Sequence, residues 1–288
     1  MRAAGPILTV VVALIALWYA GAVWMNAPWS YDQAARAGLP PPSLIEVARD
    51  AMVQKRPVLP PPHQVLGELK KTVLDIAITS KRSLVYHSGI TLLATLTGFL
   101  TGTVVGIGLA MLVVRSRVMD LALSPWAIIS QTIPIVAIAP MIVVLASAFG
   151  IEGRLVPKTI ISAYLSFFPV FVSMVKGLRS PDQMQLDLLR TYGASQGQVF
   201  AKLRLPASLP YFFAAMKIAM AASLVGAIVG ELPTGAVSGL GARMLIGSQF
   251  GAPLQMWAAL VAASVLAAVL IVAVGGLERV LSRRMGVR

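Results

Sequence analysis

The stretch Asp187-Leu188-Leu189-Arg190-Thr191-Tyr192-Gly193-Ala194-Ser195, continuing to Leu203-Arg204-Leu205-Pro206, is a polar, basic passage between two long apolar segments at 157–175 and 211–230. Two short helical patterns flank a glycine. Ser180 and Asp182 suit the start of the first, where a side-chain oxygen or a negative charge meets unsatisfied amides. Met184, Leu188 and Leu189 supply its apolar face, and Tyr192-Gly193 break it. Ser195 is placed to cap the second, Val199, Phe200 and Leu203 share one side of it, and Leu205-Pro206 is expected to end it. Short helices that expose Leu and Phe call for a covering surface. The passage 178–210 therefore reads as a docking surface, through which something outside the membrane drives the protein, rather than as a tether.

The membrane enters through composition. The chain has 288 residues, 57% hydrophobic and 12% charged, with mean hydropathy +0.81. Soluble domains average about a quarter charged residues, so lipid must cover much of this surface. Spanning helices need about 20 mostly apolar residues. Six segments qualify, at 7–25, 87–114, 126–149, 157–175, 211–230 and 256–277. The fold class is an all-α integral membrane protein of about six transmembrane helices. Ala20-Gly21-Ala22 resembles a signal cleavage site, but the run before it is long for a signal core, and the segment is read as a retained span.

Lys and Arg set orientation. With the N-terminus inside, the inner side holds Arg2, Arg115, Arg117, Lys176, Arg179, Arg190, Lys202, Arg204, Arg279, Arg283, Arg284 and Arg288, against Arg154, Lys158 and Arg243 in the short outer loops. Both termini are expected in the cytoplasm of a multi-pass bacterial inner-membrane protein. The organisation expected is a terminal span at 1–26, an outer loop with amphipathic helices at 27–86, a core of five spans at 87–277 and a basic tail at 278–288. The net charge of +13 is spread over interhelical loops, which fits headgroup contact and argues against nucleic acid. In the outer loop, Leu39-Pro40-Pro41-Pro42 recurs as Leu59-Pro60-Pro61-Pro62, each before a helical pattern. Ile45, Ala48 and Met52 mark one face of the first, and Val65, Leu66, Leu69, Val73 and Ile76 one face of the second. These helices are read as lying at the outer interface, with docking of an outside partner as the alternative.

Several chemistries are disfavoured. The chain has no cysteine and only two histidines, His63 and His87, which do not form a ligand cluster, so neither a metal site nor a catalytic residue is assigned. Gly153-Arg154-Leu155-Val156-Pro157-Lys158-Thr159 lacks the glycine before lysine that a phosphate-cradling loop needs. The spans are nearly free of acidic residues, which counts against proton- or sodium-coupled transport and against a paired-aspartate protease. A channel and a membrane scaffold remain as rival classes. Gly98, Gly102 and Gly106 form a small-residue stripe suited to close helix packing. Gln131-Thr132-Ile133-Pro134, with Pro140 beyond, suits either a polar path or a packing kink. Gln131, Thr132, Pro134, Ser166 and Glu231 are the candidates to line or gate a route, and Lys217 is expected to snorkel.

The inner loop resembles the signature of binding-protein-dependent ABC importer permeases, E-A-A-x3-G-x9-I-x-L-P. Asp187-Leu188-Leu189 stands where Glu-Ala-Ala is usual, Gly193 falls at the family spacing, Leu203 replaces Ile, and Leu205-Pro206 close the motif. Leu59-Pro60-Pro61-Pro62, Gln131-Thr132-Ile133-Pro134, Phe167-Phe168-Pro169, Gly177-Leu178-Arg179-Ser180 and Gly239-Leu240-Gly241 are similar to the nitrate/sulfonate/taurine branch, which includes permeases for thiamine precursors, riboflavin and pyrimidines. The resemblance covers about 60–284. It implies a type I importer permease fold and a second permease subunit, identical or related. It also implies a separate ATP-binding cassette ATPase that carries the ATP and Mg, and a periplasmic or lipid-anchored binding protein. Asp187, Leu188, Leu189, Gly193, Ala194, Ser195, Phe200, Leu203, Leu205 and Pro206 would form the ATPase-coupling loop. The Val229–Gly235 stretch most resembles importers of small nitrogen heterocycles, with sulfonate, taurine or nitrate as the alternative.

Overall fold

A computed structural model describes residues 4–151, 154–233 and 238–284. All regular structure among them is helical. Long helices are α1 (Ala4–Arg36), α4 (Leu84–Arg115), α7 (Leu155–Leu178), α10 (Leu205–Glu231) and α12 (Pro253–Arg284). Between them lie α2 (Leu44–Ala51), α3 (Pro62–Lys70), α5 (Arg117–Ser130), α6 (Ile135–Ala148), α8 (Gln183–Thr191), α9 (Gln196–Val199) and α11 (Leu240–Gln249). Five helices are long and apolar enough to span a membrane, and α5 with α6 makes a sixth candidate. The segment expected as one span at 126–149 is built from two helices, α5 and α6, which meet at 101° across Gln131–Pro134. Pro134 is the N-cap of α6, where a residue without an N–H closes one helix and admits another.

The chain divides into two compact units, Met1–Ser88 with Ala242–Ala263, and Gly89–Gly241 with Ser264–Arg288. In the first, the loop after α1 folds back on that helix through polar contacts. Asn26, fully buried, accepts from the amides of Val58 (2.7 Å) and Leu59 (3.3 Å) and donates to the Leu59 carbonyl (2.9 Å). Trp18 donates to the Pro60 carbonyl at 3.0 Å, and Ser30 to Asp50 at 2.5 Å. The second Leu-Pro-Pro-Pro motif is thus an anchoring strap. In α2, which packs against α1, Val47 and Ala51 are buried, while Ile45 is 75% exposed. In α3, Val65 is buried and Leu66 is exposed.

The second unit is a stack of α4, α7 and α10. Cβ atoms at Gly98, Gly102 and Gly106 would run into Ser162, Ser166 and the Phe167 carbonyl, so only glycine lets α4 approach α7 this closely. On the other side of α7, Gly226 faces the Ser162 backbone, where a Cβ would lie 2.7 Å from its Cα. Ser162 and Ser223 share a buried hydroxyl contact at 2.6 Å, and Ser223 reaches the Thr95 carbonyl at 2.8 Å. Small residues and buried hydroxyls replace the bulky core of a soluble protein here, since lipid offers no hydrophobic drive for helix association. Larger apolar side chains, including Phe99, Phe171, Met174, Leu178 and Met220, fill the end toward Leu178. Lys217 ion-pairs with Glu278 of α12 at 2.5 Å.

Candidate functional site

The passage 178–210 folds as two capped helices around one glycine. Asp182 caps α8 and forms a reciprocal box with Gln185, and Ser195 does the same for α9 with Gln198. Each box satisfies amides that begin a helix without partners. Ser180 instead closes α7 by donating to the Gly177 carbonyl at 2.8 Å. Gly193 takes φ +72°, a left-handed turn that suits glycine. Its amide donates to the Arg190 carbonyl at 2.9 Å, and the Ala194 amide reaches Leu189 at 3.0 Å.

The expected stop at Leu205-Pro206 is corrected. The helix does not end there but continues as one 36-residue rod, Gln196–Glu231. A π-helical segment at Phe200–Arg204 carries α9 into α10, and the Leu205 amide donates to the Phe200 carbonyl. Pro206 occupies the first turn of α10, and the widened turn before it accommodates its missing N–H. At about 1.5 Å per residue the rod is about 54 Å long.

The loop presents its apolar residues unevenly. Met184, Leu188 and Tyr192 recur every four residues along α8 and are 80%, 55% and 79% exposed. Tyr192, read in the sequence only as part of a helix break, completes that stripe. Leu189 and Leu203 are half-buried, Val199 is buried, and Phe200 packs on the core of its own unit. Asp187 pairs with Arg190 one turn along at 3.0 Å, on an exposed surface where such bridges contribute little. Ala194 is half-buried, and Ser195, Leu205 and Pro206 are exposed.

The path candidates separate into two groups. Gln131, Thr132 and Pro134 lie exposed at the α5–α6 bend. Ser166 and Glu231 are fully buried. Ser166 donates to the Gly98 carbonyl at 3.3 Å, as part of the α4–α7 seam. Glu231, at the far end of the rod from the loop, accepts from Thr91 of α4 (2.9 Å), from the Lys158 ammonium of α7 (3.2 Å) and from the Gly241 amide (2.7 Å). Lys158 also donates to the Ser238 carbonyl at 3.1 Å, and Thr91 accepts from the Leu240 amide at 2.9 Å. Gly239 passes directly over the carboxylate at φ +129°.

Lys158, counted above as an outer-loop charge, is 3% exposed, and its charge is spent inside the fold. Thr91, Lys158 and the Gly239–Gly241 turn were not read as a site from the sequence. The available signal was a lone lysine in the first apolar turn of one span and a lone glutamate at the end of another. Thr234 and Gly235, which belong to the heterocycle-like stretch, lie outside the described residues.

The family described as a binding-protein-dependent transport system inner membrane component matches residues 102–287. A probable ABC transporter permease protein of Haemophilus influenzae is 35% identical over 64% of this chain and 72% of its own length. The riboflavin transport system permease protein RibX of Chloroflexus aurantiacus is 31% identical over 78% of this chain and 80% of its own. The formylaminopyrimidine transport permease protein ThiX of Halalkalibacterium halodurans is 35% identical over 58% and 65%. The fold is similar to that of an inward-facing MetNI methionine ABC transporter chain, with TM-score 0.56 and 21% identity over 68% of this chain and 95% of that one. The chain belongs to the binding-protein-dependent inner-membrane permeases and is a transmembrane permease subunit of an ABC importer.

Proposed function

We propose that this subunit imports a small nitrogen heterocycle of the pyrimidine, thiamine-precursor or riboflavin type. It would work paired with a second permease subunit, identical or related, and a binding protein would deliver the solute. Support for the substrate class is the higher identity to the formylaminopyrimidine and riboflavin permeases, 35% and 31%, than to the aliphatic sulfonate and nitrate permeases, 27% and 29%. Both termini and the 178–210 loop lie in the cytoplasm in this reading, and ATP and Mg act on a separate ATPase.

The observation that carries the mechanism is the continuity from the loop to Glu231. The exposed stripe Met184, Leu188 and Tyr192 docks in a groove of the ATPase, with the other loop residues, from Asp187 to Pro206, holding its geometry. Closure of the ATPase dimer then moves α9. Because α9 runs into α10 without a break, the displacement reaches the opposite end of the rod. There the Glu231 contacts to Thr91 and Lys158 make α4, α7 and α10 move together. The exposed bend at Gln131, Thr132 and Pro134 is the segment left to line the route. Ser166 and Glu231 hold its frame.

The test is ATP-dependent uptake into liposomes holding this subunit, its ATPase and its permease partner, with the binding protein added outside. Uptake of labelled formylaminopyrimidine in preference to taurine or nitrate is expected. Preference for an anion would overturn the substrate assignment, and uptake that persists without the ATPase would overturn the coupling.

A further inference from the structure

A cavity of about 540 Å³ opens between the end of α4 and the beginning of the rod, lined by Met111, Val114, Arg115, Gln196, Phe200 and Arg204, with Gly197. Its lining has two characters. Met111 and Val114 belong to the last apolar turns of the α4 span, and Phe200 packs on the apolar core. Arg115 is the final residue of that span, and Arg204 lies half-buried near the start of the rod, its guanidinium held toward the Leu178 carbonyl at 3.4 Å. The lining contains no carboxylate, and among the described residues neither guanidinium is in an ion pair. Two positive charges therefore face a space whose other wall is hydrocarbon. Both arginines sit where apolar spans leave the membrane core, the depth of the headgroups.

We propose that this cavity binds the phosphate of an anionic phospholipid, with Arg115 and Arg204 as its ligands and with Met111, Val114 and Phe200 against the acyl chain. Guanidinium offers a planar fork of donors that matches phosphate oxygens. Basic pockets between spans are recognised headgroup sites. The apolar wall favours a lipid over a free phosphate, which would leave that wall to water. Gln196 opens the helix that follows Gly193, so the lipid would be in contact with the root of the 178–210 loop.

The test uses the full-length chain, purified and delipidated, then titrated with phosphatidylglycerol or phosphatidylcholine and followed by native mass spectrometry and by thermal unfolding. Phosphatidylglycerol should be retained in preference to phosphatidylcholine and should raise the unfolding midpoint. Arg115→Gln should weaken its retention about ten-fold or more, the scale of a lost charged hydrogen bond. Arg204→Gln should do the same, and Met111→Trp, which fills the apolar half, should also reduce it. Arg117→Gln changes an exposed arginine outside the cavity and should leave retention intact. Among the described residues no ion pair involves Arg115, so Arg115→Gln keeps the test clear of misfolding. Equal losses from Arg115→Gln and Arg117→Gln would reduce the effect to bulk charge and overturn the site. Glycerol 3-phosphate binding as tightly as the lipid, with Met111→Trp without effect, would overturn the lipid assignment in favour of a free phosphate.

Discussion

Lys158 Nζ lies 3.2 Å from Glu231 Oε1, with the two side chains 4% and 0% exposed. The pair joins the start of α7 to the end of α10, and a buried charge whose partner is removed has nothing to balance it. Lys158→Met is expected to destabilise the subunit by about 3–5 kcal/mol. Adding Glu231→Gln should restore much of that loss, because no isolated charge then remains inside. Thermal unfolding in one detergent across the four-member cycle checks this, and strictly additive effects would show that the residues do not act as a pair.

Gly239 is expected to tolerate no side chain. A Cβ there would occupy the space of the Glu231 carboxylate, and φ is +129°. Gly239→Ala should lower stability by about 1–3 kcal/mol from backbone strain alone, with the steric conflict adding to it. Size-exclusion profiles and unfolding midpoints measure the outcome. An alanine variant as stable as the parent would mean that the turn does not cross the carboxylate.

The α4–α7 seam gives a paired prediction. At Gly102 an added Cβ would lie 2.7 Å from the Ala163 carbonyl oxygen, whereas at Gly108 on the same helix nothing lies within 4 Å. Gly102→Leu should prevent a folded subunit from accumulating in the membrane. Gly108→Leu should be near neutral, within about 0.5 kcal/mol. Comparable yields of folded protein from the two variants would show that helix spacing is not set by glycine.

For the loop, Leu188→Asp should abolish ATP-driven uptake yet leave the unfolding midpoint within the roughly 0.5 kcal/mol typical of surface changes. Leu188 is 55% exposed. Gly193→Pro should fail as well, since proline removes the amide that bonds Arg190 and its φ of about −65° cannot reproduce +72°. Pull-down of the ATPase separates lost docking from lost fold. Normal uptake in both variants would take the loop out of the mechanism.

Asn26 holds the strap at Val58 and Leu59 with both ends of its amide. Asn26→Leu should cost about 1–3 kcal/mol, the scale of buried polar groups left unpaired. Hydrogen exchange should rise at the amides of Val58 and Leu59, and unchanged exchange there would show that other contacts hold the strap.

The apolar spans, the capped helices of the loop, the helix break at Gly193 and the close-packing stripe are legible in the sequence alone. Each is a local property: length of an apolar run, a side-chain oxygen beside free amides, a residue without Cβ, a period of four. The break at Gly193 was legible because glycine is favoured where a helix ends, and the structure adds that it ends there in a left-handed turn. Gly98, Gly102 and Gly106 were legible because small residues at that spacing have one common use in lipid.

How distant residues meet is set by the folded arrangement of the helices. Leu205-Pro206 looks like a stop locally, yet a π-helical turn carries the chain across it, since the first turn of a helix tolerates proline. Glu231 was singled out as a residue at the end of a span. It is met by Thr91 of α4, Lys158 of α7 and Gly241 in the first turn of α11, up to 140 residues away, and no local period encodes that meeting. The faces of α2 and the bend between α5 and α6 depend likewise on what packs beside them. In a bilayer the apolar pattern states that a helix is covered, but lipid and protein cover it equally well. Which side meets another helix is settled by small residues and buried polar partners that become complementary only when the spans are assembled.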